Sequence, residues 1–212
     1  MKRFLILIIT ILFSFTTVFA KTEKFGTWIE FTLTKKITKK LEFSFSPEFR
    51  LQDDFTLDEY NLDGKLAYKP WKFLDFAATY RIKTNIKKND NVVSQKFLID
   101  ATGKTNYDRF DASLRNRFTN DAESGNVDWG NIYYRPRAKL KYNIKGSKIE
   151  PFTSFELFLD LNNGYFDKGR FDVGFTRKIK KKHEFGMYYR LQDYFSDRGS
   201  INILGIDYGF KF

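Results

Sequence analysis

Cysteine is absent from the 212 residues, and histidine occurs once, as His183. The first absence removes disulfide frameworks, thiolate nucleophiles and cysteine-based metal sites; the second removes nearly all chemistry in which histidine acts as base or ligand. No run of about 18 apolar residues occurs beyond the N-terminus, which excludes a polytopic helical membrane protein. Nor is there a phosphate-cradling glycine loop, a zinc-ligand spacing or an EF-hand pattern. What the chain has in quantity is aromatic surface: 25 Phe, 12 Tyr and 3 Trp, with 30% of residues charged. That is more buriable area than a disordered chain carries, and the length fits one domain or at most two.

The first twenty residues read as an address. Lys2 and Arg3 precede an apolar stretch from Phe4 to Phe13, and the segment ends Val18-Phe19-Ala20. Residues 1–20 are therefore expected to be a cleaved secretory signal, with the domain spanning 21–212; the apolar run is short for a membrane anchor. Export also removes nucleic acid as the partner that a net charge of +11 would otherwise suggest.

From Phe25 onward the hydrophobic period is two, the signature of strands, and no apolar stripe at helical spacing interrupts it. Leu41, Phe43, Phe45, Phe49 and Leu51 alternate with Glu42, Ser44, Ser46, Glu48, Arg50 and Gln52. Similar patterns start at Leu74, Phe110 and Ile132, with Asn116 a polar exception on an apolar face. Further strands begin near Tyr60, Phe97, Ile149, Phe171 and Glu184, and the last runs from Leu204 to the end. The connections alternate too. Short basic ones (35–40, 69–72, 106–109, 143–148, 180–183) take turns with longer ones rich in Asp, Asn and Gly (53–59, 85–95, 120–130, 161–169, 193–200). This order predicts an up-and-down meander with two unlike rims rather than a Greek-key sandwich.

Alternation does not say which face is buried. In a soluble barrel the apolar face points inward; in a membrane barrel it points out. Strands long enough to cross a bilayer at a tilt, aromatic residues near strand ends and the export signal favour the second arrangement. The final strand places Leu204, Ile206, Tyr208, Phe210 and Phe212 on one face. It resembles the terminal signal by which bacterial outer-membrane barrels are recognised by the barrel-assembly machinery. The Gly26-Thr27-Trp28 opening, the basic turn after it and the strand ending Glu48-Phe49-Arg50-Leu51 resemble an uncharacterised family of small bacterial outer-membrane barrels, a domain of unknown function. The resemblance implies the fold, a Gram-negative outer-membrane location and a lipid partner, and brings no catalytic residues or cofactor.

The expectation is thus an all-β, closed, up-and-down antiparallel transmembrane barrel of about 10–12 strands. Closure is required because an unpaired strand edge is not tolerable in hydrocarbon. The lumen would be lined by Glu42, Glu48, Arg50, Arg81, Arg115, Arg117, Arg135, Arg137, Lys139, Glu150, Glu156, Arg170 and Arg190. Single-chain barrels of this type normally have an even strand number, yet including 25–34 gives eleven. That segment could line the lumen, close the barrel in parallel or expose a miscount.

Catalytic signals are weak. His183 follows three lysines and reads as a solvated turn residue before it reads as a general base. Glu150 and Glu156 are expected to be charge partners in a wall rather than a glycosidase pair. The basic ladder of Arg115, Arg117, Arg135, Arg137, Lys139 and Lys141 suits either an ion-pair network with Glu150 and Glu156 or an anion-favouring constriction. The loop carboxylates Asp53, Asp54, Asp58, Glu59, Asp121, Glu123 and Asp128 suit solvation before divalent-cation binding. The functional expectation is a non-catalytic channel-like or structural barrel, with two alternatives: an interaction barrel using long loops to bind an external partner, and a His-independent lipid-modifying enzyme.

Overall fold

The computed structural model describes residues 22–121, 130–180, 182–196 and 198–212. The expected signal segment, Lys21, Glu123, Asp128 and the Asp121 side chain lie outside the described residues. Eleven strands follow one another: β1 (Thr22–Lys36), β2 (Leu41–Leu51), β3 (Leu57–Trp71), β4 (Leu74–Asn85), β5 (Val92–Tyr107), β6 (Phe110–Asp121), β7 (Asn131–Tyr142), β8 (Ile149–Asp160), β9 (Tyr165–Ile179), β10 (His183–Tyr194) and β11 (Ser200–Lys211). Each pairs with its sequence neighbours, and β1 pairs with β11, so the sheet closes into a barrel.

The closing seam corrects the all-antiparallel expectation. In a meander, every hairpin reverses direction, so the first and last of an odd number of strands point the same way and can close only in parallel. Thr27 stands beside Leu204, Phe31 beside Tyr208 and Thr34 beside Lys211, with β1 and β11 parallel. Of the three placements open to 25–34, it is the parallel closing strand.

The connections define two ends. Among the described residues, the turn end carries 37–40, 72–73, 108–109, 143–148, 180 and 182; the loop end carries 52–56, 86–91, 130, 161–164, 195–196 and 198–199. Both sets of connections are shorter than expected, because strands extend into segments read as loops. β9 starts at Tyr165, inside the expected 161–169 loop, and leaves only four residues to connect it to β8. Asp160 makes that turn possible. Its carboxylate accepts the N–H groups of Asn162 (2.9 Å) and Asn163 (3.2 Å), and Gly164 closes the turn at φ 71, a conformation suited to glycine. Polar residues such as Asp167 and Lys168 read as loop because they are charged, but they lie within β9.

The apolar and polar faces are inverted relative to a soluble domain. Among the described residues, 33 large hydrophobic side chains are exposed, six hydrophobic residues are buried, and 18 polar or charged residues are buried. Outward aromatic rings pair across strands, as Tyr80 with Phe97 and Phe118 with Tyr134. The Asn116 exception is satisfied in place: the Tyr134 hydroxyl donates to its Oδ1 at 2.6 Å. On the far side of the barrel, Asn202 accepts from Tyr189 in the same way. A polar side chain on the apolar surface is in each case paired with a tyrosine of the next strand.

Candidate functional site

The interior is where chemistry-bearing side chains converge, and register decides which ones meet. Asp63 on β3 stands directly opposite Arg81 on β4, Asp100 on β5 opposite Arg117 on β6, and Asp172 on β9 opposite Arg190 on β10. Each becomes a two-pronged ion pair, at 2.6 and 2.7 Å, 2.6 and 2.6 Å, and 2.6 and 2.9 Å respectively. The planar guanidinium matches the carboxylate edge, which makes these the strong form of the interaction. Ser154 adds a hydrogen bond to Asp172 at 3.0 Å.

A second network spans β2, β3 and β4. Arg50 reaches Glu48 and Glu59 at 2.6 Å each, Lys83 reaches Glu59 at 2.9 Å, and the Asn61 amide donates to both carboxylates. Two cations thus meet two anions. Towards the turn end, Glu42 takes both Lys69 and Lys211, whereas Glu150 takes Lys178 at 3.0 Å and Lys141 at 3.9 Å.

Glu156 is different. One of its oxygens, Oε1, accepts Arg115 at 2.5 Å and Arg135 at 3.0 Å, and Arg170 lies 3.9 Å from the other. Arg137 stands opposite Glu156 in the β7–β8 register but makes no ion pair among the described residues. Lys139 likewise sits over the Phe152 ring, 3.8 Å from its centroid, rather than on a carboxylate.

Aromatic rings hold several of these cations. Trp28 has Arg50 at 3.8 Å, Arg190 at 5.0 Å and Arg170 at 5.2 Å from its ring centre, contributed by β2, β10 and β9. Phe158 has Arg135 at 4.1 Å, Arg170 at 4.7 Å and Lys168 at 4.9 Å. Tyr188 lies along the inner wall between glycines on both neighbouring strands, Gly174 and Gly205. A Cβ at Gly205 would overlap the Tyr188 ring, so this close approach requires glycine.

These side chains divide the interior. A cavity of about 640 Å³ opens towards the loop end, its floor including Trp28, Arg50, Arg135, Phe158 and Arg170. A second, of about 460 Å³, lies towards the turn end, with Glu30, Lys139 and Asp207 among its lining. They share no lining residue. Asp63, Asp100, Arg117, Glu156, Asp172 and Arg190 line neither cavity and belong to the ion-pair layer that separates them.

The anticipated lumen residues all lie on this inward set. Arg115 and Arg135 meet at Glu156, but Arg117 turns to Asp100 instead. Trp28, Glu59, Asn61, Asp63, Asp100, Phe158, Tyr188 and Gln192 join them without having been expected in the lumen. The parity of a neighbouring charged residue identifies several of them: Phe158 shares the face of Glu156, and Asp63 the face of Arg81.

Other candidates fall elsewhere. His183 begins β10 rather than lying in a solvated turn; it shares a 2.6 Å hydrogen bond with the Tyr208 hydroxyl and packs on Phe210. Glu59 is buried in the β2–β4 network and is not a loop carboxylate. Asp54 fixes the 52–56 loop through the Thr56 hydroxyl (2.6 Å) and N–H (2.9 Å), which hold its carboxyl below the usual range. Among the described residues no group of three or more His, Asp or Glu side chains is placed to hold a metal ion.

Residues 25–201 match the family model described as a protein of unknown function, DUF2490. No curated protein matches the chain.

Proposed function

We propose that this chain, which belongs to the DUF2490 family, is a non-catalytic integral barrel of the Gram-negative outer membrane, closed at mid-height and structural rather than an open channel. The observation that carries the reading is the inversion of burial: among the described residues, 33 large hydrophobic side chains are exposed and 18 polar or charged residues are buried. In water such a surface costs free energy over the whole circumference, whereas acyl chains solvate it without penalty. Strands of 11 residues or more are long enough to cross a bilayer at a tilt. Leu204, Ile206, Tyr208 and Phe210 lie together on the outer face of β11, and the Phe212 N–H donates to the Thr34 carbonyl at 3.0 Å across the closing seam. That arrangement fits recognition by the barrel-assembly machinery before closure.

The ion-pair layer favours the closed form over the channel. Opening a path past Arg117, Glu156 and Arg190 requires separating paired charges, and the two cavities share no lining residue. The fully described loops 52–56, 86–91 and 161–164 have four to six residues, which lends less support to an interaction barrel built on long loops.

Refolding the chain with residues 21–212 into lipid vesicles tests both parts. The expected result is heat-modifiable migration on a gel, co-sedimentation with lipid and no stepwise conductance in a planar bilayer. A chain that stays monomeric in buffer without detergent, its Phe and Tyr shielded from aqueous quenchers, would overturn the membrane reading. Regular conductance steps would overturn the closed interior.

A further inference from the structure

We infer that the floor of the loop-end cavity is a binding site for a small dianionic oxyanion of the phosphate class, held by Arg135 and Arg170. The inference requires only the closed barrel, so its failure and that of the membrane reading are separable.

Charge accounting carries it. The pairs Asp63–Arg81, Asp100–Arg117 and Asp172–Arg190 are each balanced, as are Arg50 and Lys83 against Glu48 and Glu59. At Glu156, three guanidinium groups meet one carboxylate. Two positive charges therefore remain uncompensated in one place. The Nε atoms of Arg115 and Arg135 are buried and have no hydrogen-bond partner in the structure, so this cluster also has donors to spare.

The surplus faces an open space. Arg135 and Arg170 line the cavity, while Arg115 lies behind them. Their orientation is set by Phe158 and by Gln192, whose Oε1 accepts the Arg170 Nε at 2.7 Å. A ring and a neutral amide position a cation without cancelling its charge. Lys168, also over Phe158, adds a further ammonium at the rim; its carboxylate Asp167, 3.3 Å away, is shared with Arg198. Guanidinium forks recognise phosphate oxygens in pairs, and two surplus charges select a dianion over a monoanion. With an opening towards the loop end, the cavity admits a solute larger than phosphate itself.

The test is calorimetric titration of the full chain, refolded in detergent, with inorganic phosphate at about pH 8, where it is dianionic. One site with a dissociation constant of about 1 mM or tighter at low salt is expected. Sulfate should bind comparably, and phosphate taken to about pH 5, where it is monoanionic, several-fold more weakly. Arg135→Gln should weaken binding about tenfold, the size of one charge-assisted hydrogen bond. Lys178→Gln, at the turn end, should leave it unchanged. Glu156→Gln should tighten it, because it adds one uncompensated charge beneath the site. Heat-modifiable migration verifies the fold of each variant; should Glu156→Gln fail to fold, Arg135→Gln decides, since it removes a member of a like-charge cluster. No saturable binding, or equal weakening by Lys178→Gln and Arg135→Gln, would overturn the site.

Discussion

Across β9–β10, Asp172 stands opposite Arg190; across β6–β7, Arg115 stands opposite Arg137 and Arg117 opposite Arg135. Both interfaces belong to one continuous wall and both present arginine to the interior. At the first, Asp172 and Arg190 close their charges within the pair of strands. The second cannot, because directly opposed like charges repel, and it borrows carboxylates from the strands on either side: Asp100 on β5 and Glu156 on β8. The loan is incomplete, which is why three guanidinium groups share the single Glu156 carboxylate. The β9–β10 arrangement stabilises a wall. The β6–β7 arrangement costs stability and creates a directed electrostatic field.

The largest effect is expected where the balanced interface is broken. Asp172→Ala leaves Arg190, only 9% exposed, without its carboxylate. The expected loss is about 3–5 kcal/mol, measured as urea unfolding in detergent micelles. A charge-swapped pair, Asp172→Arg with Arg190→Asp, should recover most of it. A loss below about 1 kcal/mol for the single variant, the range of an exposed ion pair, would break the comparison at its balanced end.

Arg117 belongs to both kinds of interface, so its removal should fall between the extremes. Arg117→Gln strands Asp100, which is 4% exposed, but relieves Arg135 of a like-charge neighbour. The two effects oppose each other. A net destabilisation of about 1–3 kcal/mol is expected from the same unfolding measurement, smaller than for Asp172→Ala. A loss as large as that of Asp172→Ala would mean that the β6–β7 repulsion contributes nothing.

Much of this wall is legible in the sequence, and the exceptions share a cause. β2 reveals its faces because every inward position from Glu42 to Arg50 is polar. β8 does not: Phe155-Glu156-Leu157-Phe158-Leu159 is apolar on both sides of Glu156, and only that one charge reveals that Phe158 points inward with it. β5 hides its inward Leu98 in the same way, between Phe97 and Ile99. Where an aromatic or aliphatic side chain serves the interior, period-two reading loses the face, and the rings that hold Arg135 and Arg170 are lost with it. Trp28 illustrates a second limit. Its partners Arg50, Arg170 and Arg190 come from three strands, and only closure between β1 and β11 brings β9 and β10 near it. The parallel seam itself follows from counting parity once eleven strands are accepted, but no local residue pattern announces it.

The smallest effect is the most diagnostic. Arg137 is charged, faces the interior and stands opposite both Arg115 and Glu156, yet makes no ion pair among the described residues. If every inward charge were retained to stabilise the wall, Arg137→Gln would destabilise as the other arginine variants do. If the β6–β7 face instead carries a surplus at the expense of stability, the same change should leave unfolding unaltered or stabilise it by up to about 1 kcal/mol, by removing repulsion with Arg115. Phosphate binding at the cavity floor should then weaken only slightly, because Arg137 contributes field rather than contact. A variant more stable than the parent and slightly poorer at holding an anion would separate the two roles in one residue. A loss of several kcal/mol would instead assign Arg137 to the supporting network and erase the distinction between the two interfaces.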